Sequence, residues 1–168
     1  MNQKLREAFA RCPEAAAALE KLKAGNARFV AGSDSRVVPE FIFSAGLGEL
    51  FVTRAAGNVL GTSILASAQY AAQDLGAKLF VVLGHSQCGG VKATLSGEEL
   101  SGALAHMGQR IRAGIGRETD YLRAVELNAR AEAADLAARL LEYCPEQKLV
   151  VVPAVYDIET GSVRFLED

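Results

Sequence analysis

The sequence predicts an α/β fold: a mostly parallel central β-sheet flanked by helices and closed by an antiparallel C-terminal edge strand. Three observations carry that expectation. Residues 78–83 read as the clearest strand, Lys78 followed by five apolar residues, the pattern of a central parallel strand covered on both faces. An alanine-rich helical stretch, 64–75, precedes it and follows a β-branched and aromatic run at 49–54, which makes a strand, helix, strand unit. Residues 149–158 and 162–166, joined by Glu159-Thr160-Gly161, read as two strands and a turn.

The remaining elements follow in order. Residues 13–25 carry Ala16, Leu19 and Leu22 at helical spacing, with Pro13 in a first turn that tolerates proline and a stop at Gly25-Asn26. Residues 28–31 are an apolar piece, short for a buried strand, running into a turn cluster at 32–36. Beyond 84–90 the pattern is helical again, with breaks at 96–102 and 114–120. A long helix follows at 121–143, with Leu122, Val125, Leu136, Leu140 and Leu141 on an apolar side and Arg123, Glu126, Arg130, Glu132, Asp135 and Arg139 on a wet one. No repeat or linker divides the chain, so residues 1–168 read as a single domain.

Composition narrows the function. Half of the 168 residues are hydrophobic, and 18 basic side chains nearly balance 20 acidic ones. Intrinsic disorder and a broad nucleic-acid surface are therefore disfavoured, and no nucleic-acid partner is expected. No apolar run approaches the roughly 20 residues that span a bilayer, and the N-terminus lacks an apolar signal-peptide centre, so the expected location is cytoplasmic, with no membrane partner. The three cysteines, Cys12, Cys88 and Cys144, form no CxxC pair. That argues against a disulfide framework and leaves metal ligation or plain buried thiols.

The strongest chemical signal is His85-Ser86-Gln87-Cys88, just beyond the carboxyl end of a buried strand, where open α/β sheets collect ligands. Imidazole and thiolate are zinc donors, and Gly89-Gly90 permits a tight backbone whose amides turn back on the sulfur. The same four residues are equally a buried cysteine beside a hydrogen-bonded histidine. A second signal is Ser33-Asp34-Ser35-Arg36, whose spacing pairs carboxylate with guanidinium. Asp34 is then either a metal ligand or proton acceptor, or one half of a turn salt bridge.

In combination these motifs resemble a family. Ser33-Asp34-Ser35-Arg36-Val37 with Pro39-Glu40, then 48–58 ending Arg54-Ala55-Ala56-Gly57-Asn58, then 84–91 with His85 and Cys88, are similar to the beta-class carbonic anhydrases in order and spacing. Residues 25–32 resemble the end of that family's N-terminal helix, and 154–166 its closing hairpin. The resemblance implies an α/β fold, a homodimer or higher homo-oligomer, and a zinc ion (Zn2+) that converts water to hydroxide for attack on carbon dioxide, releasing bicarbonate. By position it makes His85 and Cys88 metal ligands, with Asp34 and Arg36 as a catalytic pair in which Arg36 holds Asp34 off the metal. Arg54 matches an arginine that holds bicarbonate at a second site in some members, although a structural role at a strand end is the simpler reading. Cys12 and Cys144 read as ordinary thiols and His106 as a solvent-facing residue.

One departure stands out. The family's motif has a zinc-ligand cysteine where this chain has Gly32, and the strand and loop that usually separate the helix end from the Ser-Asp-Ser-Arg turn are absent. Asp34 is the in-motif candidate for a third metal ligand in its place. Losing a central strand exposes the edges of its neighbours. Either residues 28–32 leave the helix to become a shortened first strand, or a partner subunit supplies the pairing.

Overall fold

The computed structural model describes residues 3–23 and 28–166. Two N-terminal helices, α1 (Gln3–Arg11) and α2 (Pro13–Lys23), lead to strand β1 (Arg28–Gly32). Then come α3 (Pro39–Ile42), β2 (Val52–Ala55), a 3-10 turn at Ala56–Asn58, α4 (Thr62–Gln73) and β3 (Leu79–His85). The remainder is α5 (Gly89–Leu95), α6 (Ala103–Ile115), α7 (Tyr121–Tyr143), β4 (Val150–Tyr156) and β5 (Val163–Phe165). The strands form one sheet in the order β2-β1-β3-β4-β5, parallel except for β5, which runs antiparallel to β4. This is the expected α/β architecture with its antiparallel edge. No described helix is long and apolar enough to cross a membrane.

The unbroken apolar run of β3 is explained by what lies on each face. Every residue of the strand is buried. Leu79, Val81 and Leu83 pack with Val150, Val152 and Ala154 of β4, with Phe9 of α1, Ala15 and Leu19 of α2, and with Cys12 between the two helices. Phe80 and Val82 point the other way, into Ala68, Ala71 and Ala72 of α4 and Ala133, Leu136 and Leu140 of α7. Alternation along the strand thus feeds two cores, each large side chain contributing about 1.5–3 kcal/mol by burial.

The segment 28–32 is a strand and not a helix end, which corrects the expectation drawn from the family's N-terminal helix. It lies between β2 and β3 and pairs with both, Ala31 opposite Arg54 on one side and Leu83 on the other. Without it two strand edges would carry unpaired backbone groups in the protein's centre, a cost that outweighs the local preference of five residues. The chain itself supplies the pairing here. The helix stop anticipated at Gly25-Asn26 lies outside the described residues.

The long helix departs from its expected faces at three positions. Leu122 and Leu141 are 60% and 70% exposed, whereas Glu132 is buried. The buried stripe is instead Ala124, Val125, Asn128, Ala129, Glu132, Ala133, Leu136 and Leu140, in which alanines allow close approach to the sheet. Glu132 is satisfied from two sides: its carboxylate accepts from the Leu60 amide at 2.8 Å and from Arg110 at 2.7 Å. It therefore ties α6 and α7 to the segment after the 3-10 turn. The α7 N-terminus is capped by Asp120, which accepts from the Arg123 amide at 2.8 Å.

Candidate functional site

Strands β1 and β3 are neighbours, and the chain leaves their carboxyl ends in opposite directions, to β2 on one side and β4 on the other. That reversal opens a crevice at the strand ends. The two motifs singled out in the sequence meet there. Ser33 and Asp34 follow β1, and Ser86, Gln87 and Cys88 follow β3.

His85 and Cys88 are both 2% exposed. The His85 Nδ1 lies 2.9 Å from the Ser86 carbonyl, an acceptor only, so Nδ1 carries the proton. Burial works against ionising either group. It is outweighed in both: the hydrogen bond and charge of Cys88 raise the imidazole, while the His85 bond and the backbone amides of Val91 and Gly90 lower the thiol. The amides turned back on the sulfur are those the glycines were expected to allow. Gly90 packs against Gly57, where a β-carbon would meet backbone at 3.2 Å, so the turn sits tightly on the 3-10 segment.

Asp34 and Arg36 form the expected pair. Arg36 donates from Nε to Asp34 Oδ1 at 2.9 Å and from Nη2 to Oδ2 at 2.7 Å, and its backbone amide adds a bond to Oδ1 at 2.9 Å. The guanidinium hydrogen bond holds the carboxyl far below the usual carboxylate range against a smaller opposing effect of burial, with a further pull from His85. Both Asp34 oxygens are therefore committed to Arg36. Arg54 fixes the backbone beneath them, donating to the carbonyls of Gly32 at 3.0 Å and Val37 at 2.7 Å, and also to that of Asp34. This is the structural role anticipated for it.

Gly32 stands beside His85, where a β-carbon built on it would lie 2.9 Å from both Nε2 and Cδ2 of the imidazole. The ring thus closes over the bare α-carbon at the position from which the missing side chain would project. As a donor set for zinc, His85 and Cys88 are of the right chemical type but are only a pair. Among the described residues no three His, Cys, Asp or Glu side chains stand together to hold one ion. Asp34, the expected third ligand, is turned to Arg36, so the residues present do not fit a three-ligand zinc site.

Other residues around the site had no chemical signature in the sequence. Tyr121, first in α7, donates its hydroxyl to the Cys88 carbonyl at 3.3 Å, and burial pushes its phenol up to about 12. Gln87 bridges Arg36 and Glu159. Ser86 Oγ accepts from the Ile158 amide at 2.9 Å, docking the β4–β5 hairpin on the site turn. Only the position of Tyr121 after an Asp120 cap could have marked its place. Cys12 and Cys144 are buried free thiols away from the crevice, and His106 is exposed.

Comparison with known proteins gives a consistent answer. A family model described as carbonic anhydrase matches residues 27–163. A carbonic anhydrase of Mycolicibacterium smegmatis is 39% identical over 147 residues, covering 67% of this chain and 71% of the relative. The aligned stretch is longer than the part of this chain that it takes in, so the relative carries residues inside the match that this chain lacks. Among solved structures, a beta-carbonic anhydrase of Aspergillus fumigatus superposes with a TM-score of 0.75 at 28% identity, covering 98% of this chain and 88% of that one. Tetrameric beta-carbonic anhydrases of Sordaria macrospora give 0.74 at 26% identity, with 97% and 92% covered. With a matching family model over most of its length and close superposition on solved beta-carbonic anhydrases, the chain belongs to the beta-class carbonic anhydrases.

Proposed function

We propose that this chain is a carbonic anhydrase in impaired form: its reaction is the reversible hydration of carbon dioxide to bicarbonate and a proton, at a rate that is low or absent. The observation that carries this reading is Gly32, which brings β1 to the site without a donor. Zinc held by three protein ligands supplies hydroxide from bound water near neutral pH. His85 and Cys88 would supply two of those ligands, and among the described residues no third ligand side chain stands with them. Arg36 keeps Asp34 ionised, oriented as a hydrogen-bond acceptor and away from His85 and Cys88. Recruiting Asp34 as third ligand would require breaking two charge-assisted hydrogen bonds to Arg36, and the pair could then no longer act as an acceptor for a water-derived proton.

The two-donor set, His85 and Cys88 with no third ligand side chain beside them among the described residues, also favours a second reading, a metal-poor, non-catalytic member whose role is assembly or anion binding. A homodimer is the minimum assembly under either reading. It is supported by the tetrameric relatives and by Phe41 and Leu47, which are 85% and 105% exposed in the segment that precedes β2 in the chain.

Stopped-flow hydration at matched zinc loading tests the reading. Restoring the strand and loop before Ser33, with cysteine in place of Gly32, should raise the rate at least about a hundredfold. Gly32→Cys alone should gain less, because the His85 ring occupies the space its β-carbon needs. Full activity in the unaltered chain would overturn the reading.

A further inference from the structure

Gln87 lies inside the His85–Cys88 motif, but the chemistry of that motif does not use its side chain. Its backbone φ is 58°, in the left-handed region that glycine and asparagine enter more readily than glutamine. The side chain is exposed, so packing does not compensate. What the position does obtain is a pair of hydrogen bonds of opposite sense. Oε1 accepts from Arg36 Nη1 at 2.7 Å, and Nε2 donates to Glu159 Oε1 at 2.9 Å. A carboxamide can accept from a cation through its oxygen and donate to an anion through its nitrogen at once.

The consequence for Arg36 is geometric. Its Nε and Nη2 are on Asp34, and Gln87 takes the third nitrogen, so every corner of the planar guanidinium is held. The far end of the relay is also anchored, since the Glu159 amide donates to Asp157 Oδ1 at 2.8 Å within the β4–β5 loop. We propose that Gln87 is a positioning residue whose carboxamide latches Arg36 closed over Asp34 and couples that pair to the C-terminal hairpin through Glu159. The proposal rests on reading Asp34 and Arg36 as paired groups of the site.

The Arg36 Nε–H signal, followed by 15N NMR on the full chain, reports the latch directly. Gln87→Met keeps an unbranched stem without the amide and should speed solvent exchange of that proton on the order of tenfold. Gln87→Gly should do the same while leaving the thermal midpoint unchanged or raised, because it relieves the positive φ; it also answers the question if the Met variant fails to fold. Glu159→Ala should give a smaller acceleration, about two- to threefold. Unchanged Arg36 exchange in a folded Gln87 variant would overturn the latch, and unchanged exchange in Glu159→Ala would overturn the coupling to the hairpin. Loss of the hydration reading would leave all these signals in place, so the two failures are distinguishable.

Discussion

Strands β1 and β3 end side by side at the same crevice but are built differently. β3 has seven residues, all buried, paired along its length with β4 and alternating between two cores. β1 has five residues and ends in Ala31 and Gly32. Both satisfy the sheet, because parallel pairing uses backbone groups that any non-proline residue carries. Only one of them delivers a donor to the site. A sheet tolerates replacement of a strand far better than a ligand set tolerates replacement of a side chain.

The sharpest way to break this comparison is through the metal. If the β3 half carries whatever zinc the chain takes up, Cys88→Ser should abolish stoichiometric zinc in a quantitative assay. Unchanged stoichiometry would place the metal elsewhere and remove the contrast. Next in size is the effect of the two strands on stability. Leu83→Ala, which empties a fully buried position on β3, should cost about 2–5 kcal/mol in denaturant unfolding, whereas Val52→Ala on the half-buried β2 edge beside β1 should cost about 1 kcal/mol or less. Equal losses would show that the β1–β2 half is as tightly packed as the rest.

The smallest effect concerns acid. The hydrogen bond from Arg36 holds the Asp34 carboxyl well below the usual carboxylate range, so the folded chain gains stability from it above that range and loses it as the pH falls towards the folded value. Asp34→Asn should therefore cost about 1 kcal/mol or less at neutral pH and flatten the stability profile below about pH 4. A profile identical to the parent's would mean that the Asp34–Arg36 pair contributes nothing to the fold.

Much of the architecture was legible because burial on both faces leaves a local trace. Residues 78–83 and 149–158 had to be strands, and Gly161, at φ 71°, marks the hairpin turn between the last two. The site was legible where its partners are close in the chain: Asp34 with Arg36, and His85 with Cys88. Glu132 was misplaced for the complementary reason. A charged residue on a helix reads as solvated, and only Arg110 and the Leu60 amide, far away in sequence, make its burial affordable. Gln87 shows the same limit, since its acceptor Glu159 is 72 residues away.

The sequence by itself determined the alternation of strands and helices, the motif pairs at the strand ends, and the absence of a cysteine at position 32, since each is a property of neighbouring residues. The tertiary structure decided that residues 28–32 form a strand, that the His85 imidazole closes over Gly32, and that Asp34 stays with Arg36 and apart from His85 and Cys88. Five residues have too little periodicity to choose a conformation, and a carboxylate has no preference between a cation and a metal until the space around it is set. The first choice follows from the unpaired edges of β2 and β3, which only the assembled sheet brings together.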